Sequence, residues 1–171
     1  MEKDINYPVI FKEIAKRLTE IENLGQVASY IPELANVDVN KFGMHLVNAR
    51  GEHFSLGASE EKFSIQSIAK VIALTMAYRA EEETLWQRVG VEPSGNPFNS
   101  LVQLEYEQGI PRNPFINAGA LLVCDILVSH LKEPKKELLA FTRRLCGHQD
   151  IHFNAKVAES EKRTSFNNAA L

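Results

Sequence analysis

The sequence predicts an α/β chain of the α+β kind, mostly helical with an N-terminal β-hairpin. Three observations carry this: apolar residues recur at helical spacing in residues 8–22, two alternating runs flank a tight turn within 42–56, and almost everything after residue 57 keeps a helical period. In the first helix Ile10, Ile14, Leu18 and Ile21 repeat with Lys12, Glu13, Lys16, Arg17 and Glu20 between them. Asn6 is placed to cap it, and Gly25 follows its end. A short helical or irregular piece covers Tyr30, Ile31 and Pro32. Residues 42–48 and 53–56 flank Ala49, Arg50, Gly51 and Glu52, which reads as a hairpin. Helices then follow over 64–79, from the glutamates 81–83 into 85–89, over 117–131 and over 133–146. Pro134 suits a first turn and Gly147 a C-terminal stop. Two loops dense in Gly, Pro and Asn, EPSGNPFN at 92–99 and QGIPRNPF at 108–115, interrupt this series.

At 171 residues the chain is sized for a single domain, with 44% apolar and 24% charged residues, which excludes collagen-like, low-complexity and largely disordered classes. A net charge of −3 removes the positive field that non-specific nucleic-acid binding needs, so no nucleic-acid partner is expected. No apolar run is long enough for a membrane span, and residues 1–4 lack a secretory pattern, so the expectation is a soluble, cytoplasmic protein with no membrane partner. Cys124 and Cys146 cannot build a disulfide framework and read as reduced core residues. A lone hairpin is marginal in water, so further strands are expected to be missing; residues 166–171 look like the first turn of a helix cut short.

Chemistry concentrates in residues 63–78, FSIQSIAKVIALTMAY, where Lys70 is the single charge in a helix apolar on every side. Such a helix belongs in the interior. Ser67 and Lys70 are three apart and share a face. An amine in apolar surroundings loses some of its preference for the charged form and becomes able to take a proton from serine, while the helix start favours an attacking alkoxide. The spacing alone is weak, since Ser59 to Lys62 and Ser129 to Lys132 also match S-x-x-K, one in a charged stretch and one at a helix end. A serine bonded to its own backbone beside a snorkelling lysine stays open as the other reading. Cys146, His148 and His152 have a spacing that could suggest a metal, but Gln149 stands where a zincin has Glu and Gly147 breaks the helix, so the two histidines read as solvated loop residues and no metal is expected. His45 and His53 fall on the hairpin. Asn117, ahead of Ala118, Gly119 and Ala120, is either a helix cap beside close-packing residues or a ligand group. Glu161 and Asn168, two helical turns apart, either face one pocket or are surface polar residues.

Five strings in order, YIPELA at 30–35, FSIQSIAK at 63–70, EPSGNPFN at 92–99, QGIPRNPFINAGA at 108–120 and residues 160–168, resemble the bacterial glutaminases of the serine-dependent, β-lactamase-like superfamily. The resemblance runs from about Val27 to the last residue. It implies a sheet domain joined to a helical domain, a length well beyond this chain, and hydrolysis of L-glutamine to L-glutamate and ammonia without metal or organic cofactor. It also implies a homo-oligomer. Carried onto this sequence, Ser67 matches the nucleophile and Lys70 its base; Tyr30, Gln66, Ser67, Asn117, Glu161 and Asn168 match substrate-binding positions. Glu161 suits an α-ammonium group, and the two asparagines can bond either end of an amino acid. The Ser67 N–H is expected as one oxyanion donor. Asn167 departs from the family, which usually has Arg there. The missing half would supply pocket tyrosines, the K-T-G-like strand and a second oxyanion donor. The chain is thus expected to be the N-terminal portion of a glutaminase. Another Ser-Lys acyl hydrolase of penicillin-recognising type, or a catalytically incomplete remnant acting by binding or oligomerisation, are the alternatives.

Overall fold

Asn6 sets the first boundary, its Oδ1 accepting from the Val9 N–H at 3.2 Å to open helix α1, Tyr7–Glu20, with Pro8 in the first turn. A computed structural model describes residues 5–21 and 25–166. These fall into two compact units, Met1–Phe63 and Ser64–Leu171. In the first, a 3-10 turn at Pro32–Asn36 is followed by strands β1, Gly43–Val47, and β2, His53–Gly57. They pair antiparallel, with His45 opposite Ser55 and Leu46 opposite Phe54. Met44, Leu46, Phe54 and Leu56 form the half-buried face and His45, Val47, His53 and Ser55 the exposed one. The turn closes because Asn48 Oδ1 accepts from both the Arg50 and Glu52 N–H groups while Gly51 takes φ +77°.

Helix α1 packs on β2 through Tyr7, whose ring centroid lies 4.9 Å from that of Phe54. The expected stripe is shifted by one residue. Phe11 is the buried residue of α1, while Ile10, Ile14, Leu18 and Ile21 remain open. Tyr7 and Phe11 lie one turn apart, so the aromatic pair rather than the isoleucine repeat decides which side faces the strand.

In the second unit the expected helix over 64–79 is two pieces, a 3-10 turn at Gln66–Ile68 and helix α2 at Ala69–Glu81. The glutamate-rich stretch is a 3-10 turn, Glu82–Gln87. A short helix α3, Leu101–Tyr106, stands between the two Gly/Pro/Asn loops, where six residues gave no readable period. Helices α4, Asn117–His130, and α5, Pro134–Cys146, fall where the pattern put them. Gly147 ends α5 in the left-handed region at φ +62°. Helix α6, Ala155–Thr164, opens on Asn154, whose Oδ1 accepts from the Val157 N–H at 3.1 Å. The helix start expected at 166–171 lies, from residue 167 on, outside the described residues.

The core of this unit joins Ala73 and Ala77 of α2, Leu85 and Val89, and Val123, Ile126 and Leu127 of α4. Alanines four apart on α2 let α4 approach closely, and each of the fully buried Leu85, Val89, Val123 and Ile126 contributes about 1.5–3 kcal/mol. Burial of α2 stops at that face. Ile68 and Val71 stay more than half exposed, so the interior helix expected from composition is a one-sided one, because α4, α5 and the 3-10 turn cover only the alanine side. The two cysteines are also exposed rather than core: Cys124 turns away from the Val123 and Ile126 side of α4, and Cys146 ends the amphipathic α5.

Gly119 marks the tightest packing. A Cβ there would sit 2.0 Å from the Asn113 carbonyl oxygen and 2.8 Å from Pro114 Cα, both of them backbone atoms that cannot step aside. Gly119→Ala is expected to cost about 3 kcal/mol or to abolish folding. Gly95→Ala, where a Cβ meets nothing within 4 Å, is expected to lie within about 0.5 kcal/mol of the parent. Urea unfolding of both variants, showing equal midpoints, would refute the packing argument.

Candidate active site

An open cavity of about 230 Å³ is walled by Gln66, Ser67, Lys70, Asn117, Ala120, Leu121, Cys124 and Glu161. The 3-10 turn ahead of α2 brings Gln66 and Ser67, the first turn of α2 brings Lys70, one face of α4 brings residues 117–124, and α6 brings Glu161. Gln66 enters its turn at φ +45°, a backbone region that costs a side-chain-bearing residue about 1–3 kcal/mol. Its Nε2 donates to Ser64 Oγ at 2.8 Å, which ties the strained residue to the segment before it. Ser67 therefore stands on a sharp turn, exposed rather than buried, with its N–H among the groups that a first helical turn leaves without an internal partner.

Lys70 is half-buried, and its amine is the best-held group of the cavity. Nζ donates to the Phe115 carbonyl and to Asn117 Oδ1, both at 2.8 Å. Burial pushes the amine below the ordinary lysine range, and the Glu161 carboxylate pulls it part of the way back. Both acceptors are neutral. A neutral amine has two N–H bonds and one lone pair, so the same two contacts suit the uncharged form and leave the lone pair for a proton from elsewhere. Asn117 is the first residue of α4 and does not cap it; its side chain goes to Lys70 while its N–H donates to the Phe98 carbonyl at 2.8 Å. The small residues behind it divide by direction: Ala118 and Gly119 are buried in packing, and Ala120 faces the cavity.

Of the residues singled out in the sequence, Gln66, Ser67, Lys70, Asn117 and Glu161 meet at this cavity. Tyr30 belongs to the first unit, where it is exposed just before the 3-10 turn, and Asn168 lies outside the described residues. Ser59 and Lys62, the competing S-x-x-K match, lie in the first unit's exposed or partly exposed final stretch. His148 Nδ1 accepts from the Asp150 N–H, and no group of three or more His, Cys, Asp or Glu able to hold a metal occurs among the described residues. His45 and His53 bond each other across the exposed hairpin face at 3.1 Å. Sequence reading missed the Phe115 carbonyl, Leu121 and Cys124. The last two were within reach of periodicity, since 117, 120, 121 and 124 follow one helix face from Asn117. Partial cover on that wall pushes the Cys124 thiol up.

A family model described as Glutaminase matches residues 25–171. The chain belongs to the glutaminase family. It is 58% identical over 167 residues to a glutaminase of Christiangramia forsetii, covering 98% of this chain and 55% of that protein. A glutaminase of Saccharophagus degradans is 59% identical over 167 residues, covering 98% and 54%. Among solved structures, the probable glutaminase YbaS matches with a TM-score of 0.82 at 28% identity, over 97% of this chain and 55% of that one. A probable glutaminase from Bacillus subtilis complexed with 6-diazo-5-oxo-L-norleucine matches with a TM-score of 0.77 at 28% identity, over 99% and 52%. The chain thus spans about half the length of the glutaminases it matches. The α/β, β-lactamase-like fold class expected from the sequence is the fold of this family.

The electrostatics of this cavity give a direct expectation. Lys70 should titrate below an exposed lysine such as Lys156, and Glu161→Gln should lower it further by removing the carboxylate that favours the charged amine. Competitive acetylation followed by peptide mass spectrometry across pH measures both. An upward move in Glu161→Gln would contradict the assignment of the two opposing influences.

Proposed function

We propose that this chain carries the acylation machinery of a glutaminase, hydrolysing L-glutamine to L-glutamate and ammonia through a γ-glutamyl ester on Ser67. The observation that carries the reading is the Lys70 amine, half-buried, on two neutral acceptors, beside Ser67 on one cavity wall. Neutral Lys70 takes the Ser67 hydroxyl proton as Oγ attacks the side-chain carbonyl of glutamine; the tetrahedral adduct collapses and ammonia leaves with the proton returned from Lys70. Water, deprotonated by Lys70, then cleaves the ester and restores Ser67. The Ser67 N–H serves as one donor to the oxyanion. Glu161 holds the substrate α-ammonium, and Asn117 and Gln66 bond its polar groups. Tyr30 and Asn168 enter as substrate-binding residues through the motif resemblance alone. No metal or organic cofactor takes part in this reading.

Unpaired Cys124 and Cys146 support a reducing, cytoplasmic setting, and no helix among the described residues is long and apolar enough to cross a membrane. A homo-oligomer enters this reading through the family resemblance.

The test is covalent trapping. The analogue 6-diazo-5-oxo-L-norleucine is expected to leave an adduct on Ser67, seen by peptide mass spectrometry, in the parent chain and not in Ser67→Ala. Lys70→Arg should lose at least about 100-fold in trapping rate although it keeps the charge, because guanidinium does not deprotonate near neutral pH. Equal ammonia release from glutamine by the parent and Ser67→Ala would discard the reading in favour of a binding role. A labelled β-lactam on Ser67 with glutamine untouched would replace it with a penicillin-recognising one.

Trapping should also rise with pH along an acid limb set by Lys70, with its midpoint below the ordinary lysine value. An α-ammonium group seated on Glu161 cancels the carboxylate that favours the charged amine, so the limb for the bound complex should lie at lower pH than that for the free protein. The rate at saturating analogue, compared with the second-order rate at low analogue, separates the two. A bound-state limb at higher pH would remove Glu161 from the ammonium site.

A further inference from the structure

We propose that Asn113 is the positioning residue of the Lys70 amine, its side chain folding residues 113–116 into the turn that aims the Phe115 carbonyl and the Asn117 amide at Nζ. The proposal rests on the reading of Lys70 as the base. Asn113 stands behind the cavity wall rather than on it. Its carboxamide works in three directions: Oδ1 accepts from the Phe115 N–H at 2.9 Å and from the Ile116 N–H at 3.1 Å, and Nδ2 donates to the Glu92 carbonyl at 2.9 Å.

The Ile116 bond is the decisive one. The Phe115 C=O and the Ile116 N–H belong to one planar, trans peptide group, so they point in opposite directions from one rigid plate. Asn113 Oδ1 grips the N–H end and Lys70 Nζ donates to the C=O end at 2.8 Å. Rotating that plate to follow a different partner breaks one grip or the other. The next residue along is Asn117, which supplies the second acceptor of Nζ, so one side chain sets the direction of both contacts.

The backbone of Asn113 is itself fixed, which leaves the side chain as the adjustable part. The Gly90 N–H donates to the Pro111 carbonyl at 2.8 Å and the Glu92 N–H to the Arg112 carbonyl at 3.1 Å, so residues 90–92 lie along 111–113. A Cβ at Gly90 would come within 2.6 Å of the Arg112 oxygen, and Gly119 presses on the Asn113 carbonyl from α4. An Asn holding N–H groups two and three residues ahead is an ordinary turn device. Here the turn ends on a catalytic amine, and that gives the device a function besides closing the loop.

The experiment compares Asn113→Ala with Asn113→Asp. Aspartate keeps the oxygen acceptor for both N–H groups, loses the donor to Glu92 and adds a negative charge. Two readouts are taken on folded protein: the pH midpoint of Lys70 acetylation against that of Lys156, and the rate of Ser67 trapping by 6-diazo-5-oxo-L-norleucine. In Asn113→Ala the Lys70 midpoint should move up toward that of Lys156 and trapping should slow about 10–100-fold, the order expected for misplacement by about 1 Å. In Asn113→Asp the added carboxylate should raise the Lys70 midpoint as Glu161 does, while the trapping rate above that midpoint stays near the parent. A residue that only stabilises the loop would lower the melting temperature and leave the Lys70 midpoint where it was, and that result overturns the proposal. So does an Asp variant whose trapping rate above its own Lys70 midpoint falls as far as that of Ala. If Asn113→Ala does not fold, Asn113→Ser carries both readouts, with a smaller upward midpoint shift expected and none refuting. The midpoint needs no substrate, so a parent chain that is not trapped defeats the glutaminase reading while the Lys70 midpoints still decide this one.

Discussion

The second unit is organised around one half-buried amine, that of Lys70, held on two neutral acceptors. Taking a lysine head out of solvent is unfavourable for its charged form, and a carboxylate partner at bonding distance would fix that form in place. The cavity instead offers Lys70 a backbone carbonyl and a side-chain amide oxygen, acceptors that favour the charged amine less than a carboxylate would and still bond the neutral one. Glu161 contributes at longer range, as a Coulombic influence that burial outweighs. Neutral acceptors fix the position of the nitrogen, and a distant carboxylate adjusts its protonation; the two tasks are given to different residues.

That arrangement constrains the packing below it. Lys70 sits on α2 and both of its acceptors come from the entry to α4, so the bonds exist only if the two helices cross at short range. Ala73 and Ala77 on α2 supply that closeness by offering no bulk, and the glycine at 119 seats the loop ahead of α4, because nothing larger than hydrogen fits against the Asn113 carbonyl. The energy comes from elsewhere, from Leu85, Val89, Val123 and Ile126, which bury large side chains beside the crossing. Small residues set the geometry and large ones hold it.

Much of this was legible in the sequence. The hairpin, α1, α4 and α5 follow from period and punctuation because each is long or bounded by a strong turn residue, and Ser67 with Lys70 stood out as polar residues in an otherwise apolar stretch. What escaped has physical causes. A positive φ at Gln66 leaves no mark on composition, so the break between the 3-10 turn and α2 was invisible, as was α3, too short to show a period. Composition predicts an apolar stretch buried all round, whereas packing reaches only its alanine side; hydrophobic content reports the capacity for burial and not the presence of a partner. Backbone groups escape motif reading altogether, and the Phe115 carbonyl is one.

Helix α4 shows how one element serves two demands that conflict. Its side chains at 118, 119, 123, 126 and 127 must fill the core without gaps, and those at 117, 120, 121 and 124 must leave a cavity open. At 100° per residue the two sets interleave over 117–124, so each core position there has a cavity position beside it. Residue size is then dictated twice over: Gly119 is small because backbone presses on it, and Ala120 is small beside open space. The first kind of smallness is enforced by sterics and the second by the volume of whatever enters. A larger residue at 119 is paid for in folding, while a larger one at 120 leaves the fold standing and narrows the cavity.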